Sequence, residues 1–147
     1  MKLSKALKLK NKKINEYNKT VDRMLTCNSY DVDSKKLYNA HDLYRTAVTL
    51  RNDLAKFKTA IHQSTAPIRH LIFELSELKS FLSRLNHLDT TEGIVKSRGY
   101  GSVESSKYDC DIKEETKEEL INNLQEQIEI IQEEIDSFNA TTDLTGY

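Results

Sequence analysis

The sequence predicts an all-α protein with four helices whose apolar faces form coiled-coil-like heptad seams. Apolar residues recur at alternating steps of three and four residues along most of the chain, which is the spacing of one helix face. The 147 residues include one proline and four glycines, so helix-breaking residues are scarce. Narrow seams are buried by neighbouring helices, often from another subunit. We therefore expect a single domain, an antiparallel helical bundle or hairpin that self-associates into a homo-oligomer.

The first two helices are predicted over residues 2–26 and 34–63. The polar run 28–34 supplies turn residues between them. The predicted cap of the second helix is Asp33 or Ser34, because short polar side chains accept hydrogen bonds from the first helical amides. The seam of the first helix has Lys10 at one position and is otherwise apolar, with Leu3, Leu7, Ile14, Tyr17, Val21 and Met24.

The third and fourth helices are predicted over residues 67–88 and 111–139. Pro67 suits the first turn of the third helix and disfavours helical angles in the residue before it. Asp111, followed three residues later by Glu114, matches a capping box at the start of the fourth helix. The residues after 139 are expected to fray. The clearest seam belongs to the third helix and contains Ile68, Leu71, Leu75, Leu78, Leu82 and Leu85.

The connector between these two helices, residues 89–110, holds three of the four glycines and is the candidate ligand site. Glycines let backbone amides approach an anion, basic side chains grip phosphate or carboxylate, and tyrosines stack on flat rings. These groups together suit a small anionic, nucleotide-like ligand. The alternative is a plain connector whose charges keep it soluble. The candidate ligand-binding residues are Arg98, Tyr100, Lys107, Tyr108 and Arg69.

Signatures of catalysis, metal binding and membrane insertion are missing from the sequence. The four histidines lack H-x-x-x-H or H-E-x-x-H spacing, and neither cysteine lies in a C-x-x-C motif. We therefore expect a protein that is not an enzyme and uses no metal and no cofactor. No apolar run approaches the roughly 18 residues of a membrane span, and the basic N-terminus lacks the apolar core of a secretory signal. A cytoplasmic protein without a membrane partner is predicted.

Charge is distributed very unevenly along the chain. Residues 1–60 carry a net charge of +8 and residues 101–147 a net charge of −10, whereas the whole chain carries −1. The favoured interpretation pairs the basic first helix with the acidic last helix. Nucleic-acid binding is not expected, because no aromatic or groove-reading motif accompanies the basic helix. It remains a third functional alternative, through Lys2, Lys5, Lys8, Lys10, Lys12 and Lys13.

Four segments resemble the septicolysin-like family of small bacterial and phage proteins: MKLSKALKLKNKK, FKTAIHQST, SVESSKYDCDI and EIDSFNATTDL. The first is similar to the family's M-K-L-x-x-A-L opening, and Glu104 matches its serine–glutamate-rich passage. Ala140 stands where the family usually has tryptophan, and Ser76 lies near its frequent arginine–aspartate pair. The resemblance implies a helical, self-associating protein, with a site altered at those two positions if the family shares one. It does not imply a toxin, because neither a secretion route nor an insertion segment is visible.

The first functional hypothesis is therefore a non-enzymatic, oligomeric binding protein that sequesters a nucleotide-like signalling ligand. Small phage proteins that trap host nucleotide signals form one such class, and a phage-encoded protein would act in the host bacterial cytoplasm. The alternative is a structural coiled-coil adaptor or assembly factor without a small-molecule ligand, for which the seams and the charge asymmetry suffice.

Overall fold

The computed structural model describes residues 1–99 and 101–147, which divide into two compact units. Unit 1 contains Met1–Arg69 and Asp136–Tyr147, and unit 2 contains His70–Ile135. The described residues form helices α1 (Leu3–Cys27), α2 (Ala40–Ser64), α3 (Arg69–Leu85) and α4 (Glu114–Thr141), and strands β1 (Gly93–Gly99) and β2 (Ser102–Tyr108). A 3-10 turn at Ala66–Ile68 precedes α3.

The all-α prediction is wrong, because most of the predicted connector 89–110 folds as a β-hairpin. β1 and β2 pair antiparallel, with Gly93 opposite Tyr108 and Gly99 opposite Ser102. Every described residue of the two strands is exposed. The periodic patterns that identify helices and strands arise from burial of one face, so a hairpin without a buried face shows neither pattern.

The hairpin still has local sequence signals that favour it. Ile94, Val95 and Val103 are β-branched, and such residues fit the extended backbone of a strand. Gly101 has a φ of +80°, which an ordinary side chain rarely tolerates and which tight hairpin connections require. Two short β-favouring runs joined by a glycine-containing turn therefore indicate a hairpin even without apolar alternation.

Two helix starts differ from the predicted ones. α2 begins at Ala40, because the side chain of Asn39 accepts a 2.9 Å hydrogen bond from the backbone N–H of His41. Ser34, a predicted cap, instead donates its backbone N–H to the backbone oxygen of Asp31, in the connection that precedes α2. α4 begins at Glu114, three residues after Asp111, so the predicted capping box is not formed there.

Unit 1 is built on the antiparallel pair α1 and α2. Phe57 of α2 is fully buried and packs with Ala6 of α1 and with Ile61. Leu3, near the start of α1, is also fully buried. Ala6 has a small side chain, so the large Phe57 ring fills the space between the two helices beside it.

After α4, residues 142–147 form an ordered C-terminal strap on unit 1, in place of the expected frayed tail. The ring of Tyr147 packs edge-on against the ring of Phe57, with centroids 4.6 Å apart. The Lys2 ammonium binds Asp143 at 2.9 Å. Three backbone N–H groups anchor the strap: Leu3 donates to Thr142 O (2.9 Å), Leu144 to Met1 O (2.7 Å) and Thr145 to Ser64 Oγ (3.0 Å).

A polar cluster joins the strap to both helices. Asp53 of α2 forms an ion pair with Lys13 of α1 and accepts a hydrogen bond from the Tyr147 hydroxyl. The Lys13 ammonium also lies 5.4 Å from the centre of the Phe57 ring. The bond from Lys13, followed by that from Tyr147, lowers the pKa of Asp53 below its ordinary value, so the cluster stabilises the charged carboxylate.

We expect the stability of unit 1 to fall in acid as Asp53 is protonated. The pKa of Asp53 is lower in the folded chain than its unfolded value of about 3.9, so its stabilising effect is complete above that value and is lost below it. Thermal unfolding monitored by circular dichroism between pH 5 and pH 2.5 measures this loss. In Asp53→Asn, the fall in Tm between pH 5 and pH 2.5 should be smaller by a few degrees than in the unaltered chain. Asp33→Asn, in the α1–α2 connection, should show the same fall as the unaltered chain. An unchanged pH dependence in Asp53→Asn would contradict the assignment.

Unit 2 contains α3 from His70 onward, the hairpin, and α4 as far as Ile135. Leu71 and Leu75 of α3 and Leu124 and Ile131 of α4 are buried, and Lys79 of α3 donates to the Gln132 amide oxygen of α4 at 3.3 Å. Among the described residues, no helix combines the length and the apolar character needed to cross a membrane.

Candidate ligand-binding hairpin

The strand register divides the hairpin side chains between two faces. Directly opposed residues share a face, and successive residues alternate between faces. One face, called the cationic face below, carries Ile94, Lys96, Arg98, Val103, Ser105 and Lys107. The other carries Val95, Ser97, Glu104, Ser106 and Tyr108. Glu104, the one carboxylate among these described side chains, therefore lies on the face away from the cations.

The three cations form a row. Lys96 and Arg98 are two residues apart on β1, a separation of about 7 Å between their Cα atoms. Lys107 lies opposite Ile94 on β2, diagonal to Lys96 at about 7–8 Å. Within the described part of the chain, none of the three cations forms an ion pair. Their charges are thus available to an anionic ligand.

The structure brings together only some of the predicted site residues. Arg98 and Lys107 share the cationic face but lie at opposite ends of the row, about 13 Å apart along the strands. Tyr108 is half exposed on the other face. Arg69 belongs to unit 1, where it donates to the backbone oxygen of His62 at 2.9 Å. Tyr100 lies outside the described residues.

Lys96 belongs to the row, although it is not one of the ligand-binding residues predicted from the sequence. Its signal is its position two residues before Arg98, which places both side chains on one face of a strand. That signal can be used only once the segment is known to be extended, because the same spacing on a helix separates two side chains widely.

The base of the hairpin is tied to the start of α4. Lys113 forms ion pairs with Glu92 and with Asp109, on either side of the hairpin. The Thr90 hydroxyl donates to a carboxylate oxygen of Glu114. The bond from Lys113 lowers the pKa of Asp109, and the two carboxylates raise that of Lys113. These contacts fix both ends of a hairpin that has no core of its own.

Three groups at this base have the chemistry of metal ligands. The donor atoms of Glu92, Asp109 and Cys110 lie within 4.8 Å of one another. The Lys113 ammonium already forms ion pairs with both carboxylates, and desolvation raises the pKa of the Cys110 thiol. A protonated thiol is a poor ligand, so the cluster is better explained as the hairpin's anchor than as a metal centre.

Several open clefts lie elsewhere in the described part of the chain, and two of them have the following linings. In unit 1, a cleft of about 460 Å³ is lined mainly by Met24, Leu25, His41 and Tyr44. In unit 2, a more apolar cleft of about 310 Å³ lies between Phe81 and Leu85 of α3 and Leu120 and Leu124 of α4. Of the predicted ligand-binding residues that the structure describes, none lines either of these two clefts.

The fold and the hairpin define a mainly helical protein that presents a cationic β-ribbon. Comparison of the chain with family models, with curated proteins and with solved structures found no match in any of the three. The resemblance to septicolysin-like proteins therefore stays a prediction.

Proposed function

We propose that this chain is a non-enzymatic binding protein whose cationic face takes a phosphate-bearing, nucleotide-like ligand. The observation that carries the proposal is the row of Lys96, Arg98 and Lys107, which lie on one face of an exposed hairpin and form no ion pair with any residue that the structure describes. Unpaired cations on a surface without a carboxylate raise the local concentration of anions. Binding alone suffices for a protein that sequesters a signal, as the phage proteins considered above do.

The chemistry of the row favours a ligand with several phosphates. Arg98 can hold two oxygens of one phosphate through its planar guanidinium, whereas each lysine acts as a point charge. Steps of about 7 Å between the cations spread the charge over an extended group. Ile94 and Val103, on the same face, give apolar surface to a flat ring. We propose that a second copy of the chain covers this open face, since a ribbon alone encloses no ligand.

The test replaces the three cations together with serine. Lys96→Ser, Arg98→Ser and Lys107→Ser should weaken binding about threefold to 150-fold, since each exposed charge contributes about 0.2–1 kcal/mol. Isothermal titration with inorganic triphosphate, ATP and a cyclic dinucleotide measures the loss. Far-ultraviolet circular dichroism should stay unchanged, because the substituted side chains are exposed.

The matched control changes the net charge equally at positions outside the hairpin. Lys35→Ser, Lys56→Ser and Lys58→Ser together lie in unit 1 and should leave the titrations unchanged. Equal weakening in both triple variants would indicate a nonspecific charge effect. Full binding in the hairpin variant would show that the ligand lies elsewhere.

A structural adaptor is the second candidate, favoured by apolar side chains that unit 2 leaves exposed. They include Phe81 of α3 and Leu120 and Ile130 of α4, and exposed apolar surface of this kind often marks a protein interface. If this function is the correct one, replacing residues 94–107 by a glycine–serine linker should leave the oligomeric state unchanged in sedimentation experiments. The same replacement should abolish every titration signal if the hairpin is the binding element.

A further inference from the structure

The outer face of α1 carries a second cationic surface, which is independent of the hairpin. Its members, called the α1 stripe, are Lys5, Lys8, Lys12, Lys19 and Arg23. Steps of three, four and seven residues keep them on one side of the helix, where Glu16 also lies, between Lys12 and Lys19. All five are exposed, and the stripe extends for about 27 Å along the axis. The buried residues Leu3 and Ala6 mark the opposite side.

The structure separates these cations from the other basic residues at the N-terminus. Lys2 binds Asp143, and Lys13 binds Asp53, so both stabilise unit 1. In the described ranges 1–99 and 101–147, no member of the stripe forms an ion pair. Arg23 instead lies 5.3 Å from the centre of the Tyr38 ring. The stripe thus consists of charges that the fold of unit 1 does not use for ion pairs.

The composition of unit 1 strengthens the field around the stripe. The unit contains 15 Lys and Arg residues against 8 Asp and Glu residues. α1 alone has seven cations and two carboxylates, Glu16 and Asp22. A surplus of this size attracts polyanions from solution and speeds their encounter.

We infer that the α1 stripe binds the phosphate backbone of double-stranded nucleic acid, without sequence preference. Duplex DNA carries one negative charge per about 1.7 Å of its axis, so a straight stripe of about 27 Å meets many phosphates along a similarly straight partner. Four of the five cations are lysines, which act as point charges on phosphates. Phosphate contacts carry no sequence information, because sequence is read at the base edges, so we expect no sequence preference. This inference revises the expectation that nucleic acid is not a partner, because only the structure shows which lysines share one free face.

The test measures duplex binding against salt concentration. A fluorescein-labelled 20-base-pair DNA duplex is titrated with the full chain between 50 and 200 mM NaCl, and anisotropy gives the affinity. With five phosphate contacts, the logarithm of the binding constant should fall against the logarithm of salt with a slope of about −4.5. Lys8→Gln with Lys12→Gln should reduce that slope by about 2 and the affinity at 50 mM by about tenfold or more.

Lys56→Gln with Lys58→Gln is the matched control, because it changes the charge of the same unit equally on α2. It should retain the full slope, as should the triple serine variant of the hairpin. The inference is overturned if the unaltered chain does not bind at 50 mM NaCl, or if the two glutamine pairs weaken binding equally. Tighter binding to single-stranded DNA would exclude the duplex. If Lys8→Gln with Lys12→Gln dissociated an oligomer and left DNA binding unchanged, the stripe would instead bind a second copy of the chain.

Discussion

Replacing Phe57 with alanine is expected to destabilise unit 1 by about 3–5 kcal/mol. Phe57 has no exposed surface, and its ring touches three structural features at once: the α1 seam, the Tyr147 ring and the Lys13 ammonium. The substitution removes the largest fully buried side chain and leaves a cavity that two packed helices cannot close. A unit of this size is stable by only about 4–12 kcal/mol, so most of that stability would be lost.

Chemical denaturation of the purified chain measures the effect. Phe73→Ala on α3 is the matched control, because it makes the same change at a side chain that is 64% exposed. Surface substitutions of that kind usually change stability by less than about 0.5 kcal/mol. If Phe57→Ala cost no more than Phe73→Ala, the proposed core of unit 1 would be wrong.

Leu3→Ala is expected to destabilise unit 1 by about 2–4 kcal/mol and to loosen the C-terminal strap. Leu3 is fully buried, and its backbone N–H donates to Thr142 at the start of the strap. Because the side chain holds that part of the backbone in place, its loss should affect residues 142–147, far away in sequence. Denaturation gives the free energy of unfolding, and hydrogen exchange gives the protection of the strap.

Leu25→Ala provides the comparison for this second substitution. Leu25 lies on the same helix and is 67% exposed, so its removal should leave both the unfolding curve and the exchange of residues 142–147 unchanged. Normal protection of the strap in Leu3→Ala would mean that the strap is held without this contact.

Four helices could be predicted from the sequence because each buries an apolar seam, and seams leave a period in the sequence. The start of α2 could not be placed, since Asp33, Ser34 and Asn39 are all good caps and only one is used. The strap was missed for another reason. The ring of Tyr147 packs on that of Phe57, 90 positions earlier, and no local pattern encodes such a contact.

The candidate site, like the fold, could be predicted only in part from the sequence. Arg98 and Lys107 could be selected from charge alone, as isolated cations in a glycine-containing segment. The register was required to show that Lys96 shares a face with Arg98 and Lys107 and that Tyr108 does not, because a shift by one residue exchanges the faces of a strand. The α1 stripe required the fold, since sequence order does not show which lysines pair with Asp53 and Asp143.

Native mass spectrometry of chain purified gently from cells tests the central claim most directly, with the triple serine variant Lys96→Ser, Arg98→Ser and Lys107→Ser measured in parallel. We predict an oligomer of the unaltered chain with a stoichiometric extra mass, whose fragments include phosphate, and the loss of that mass both on denaturation and in the variant. An empty unaltered chain, or the same bound mass in the triple variant, would contradict the assignment of the cationic face as the ligand site.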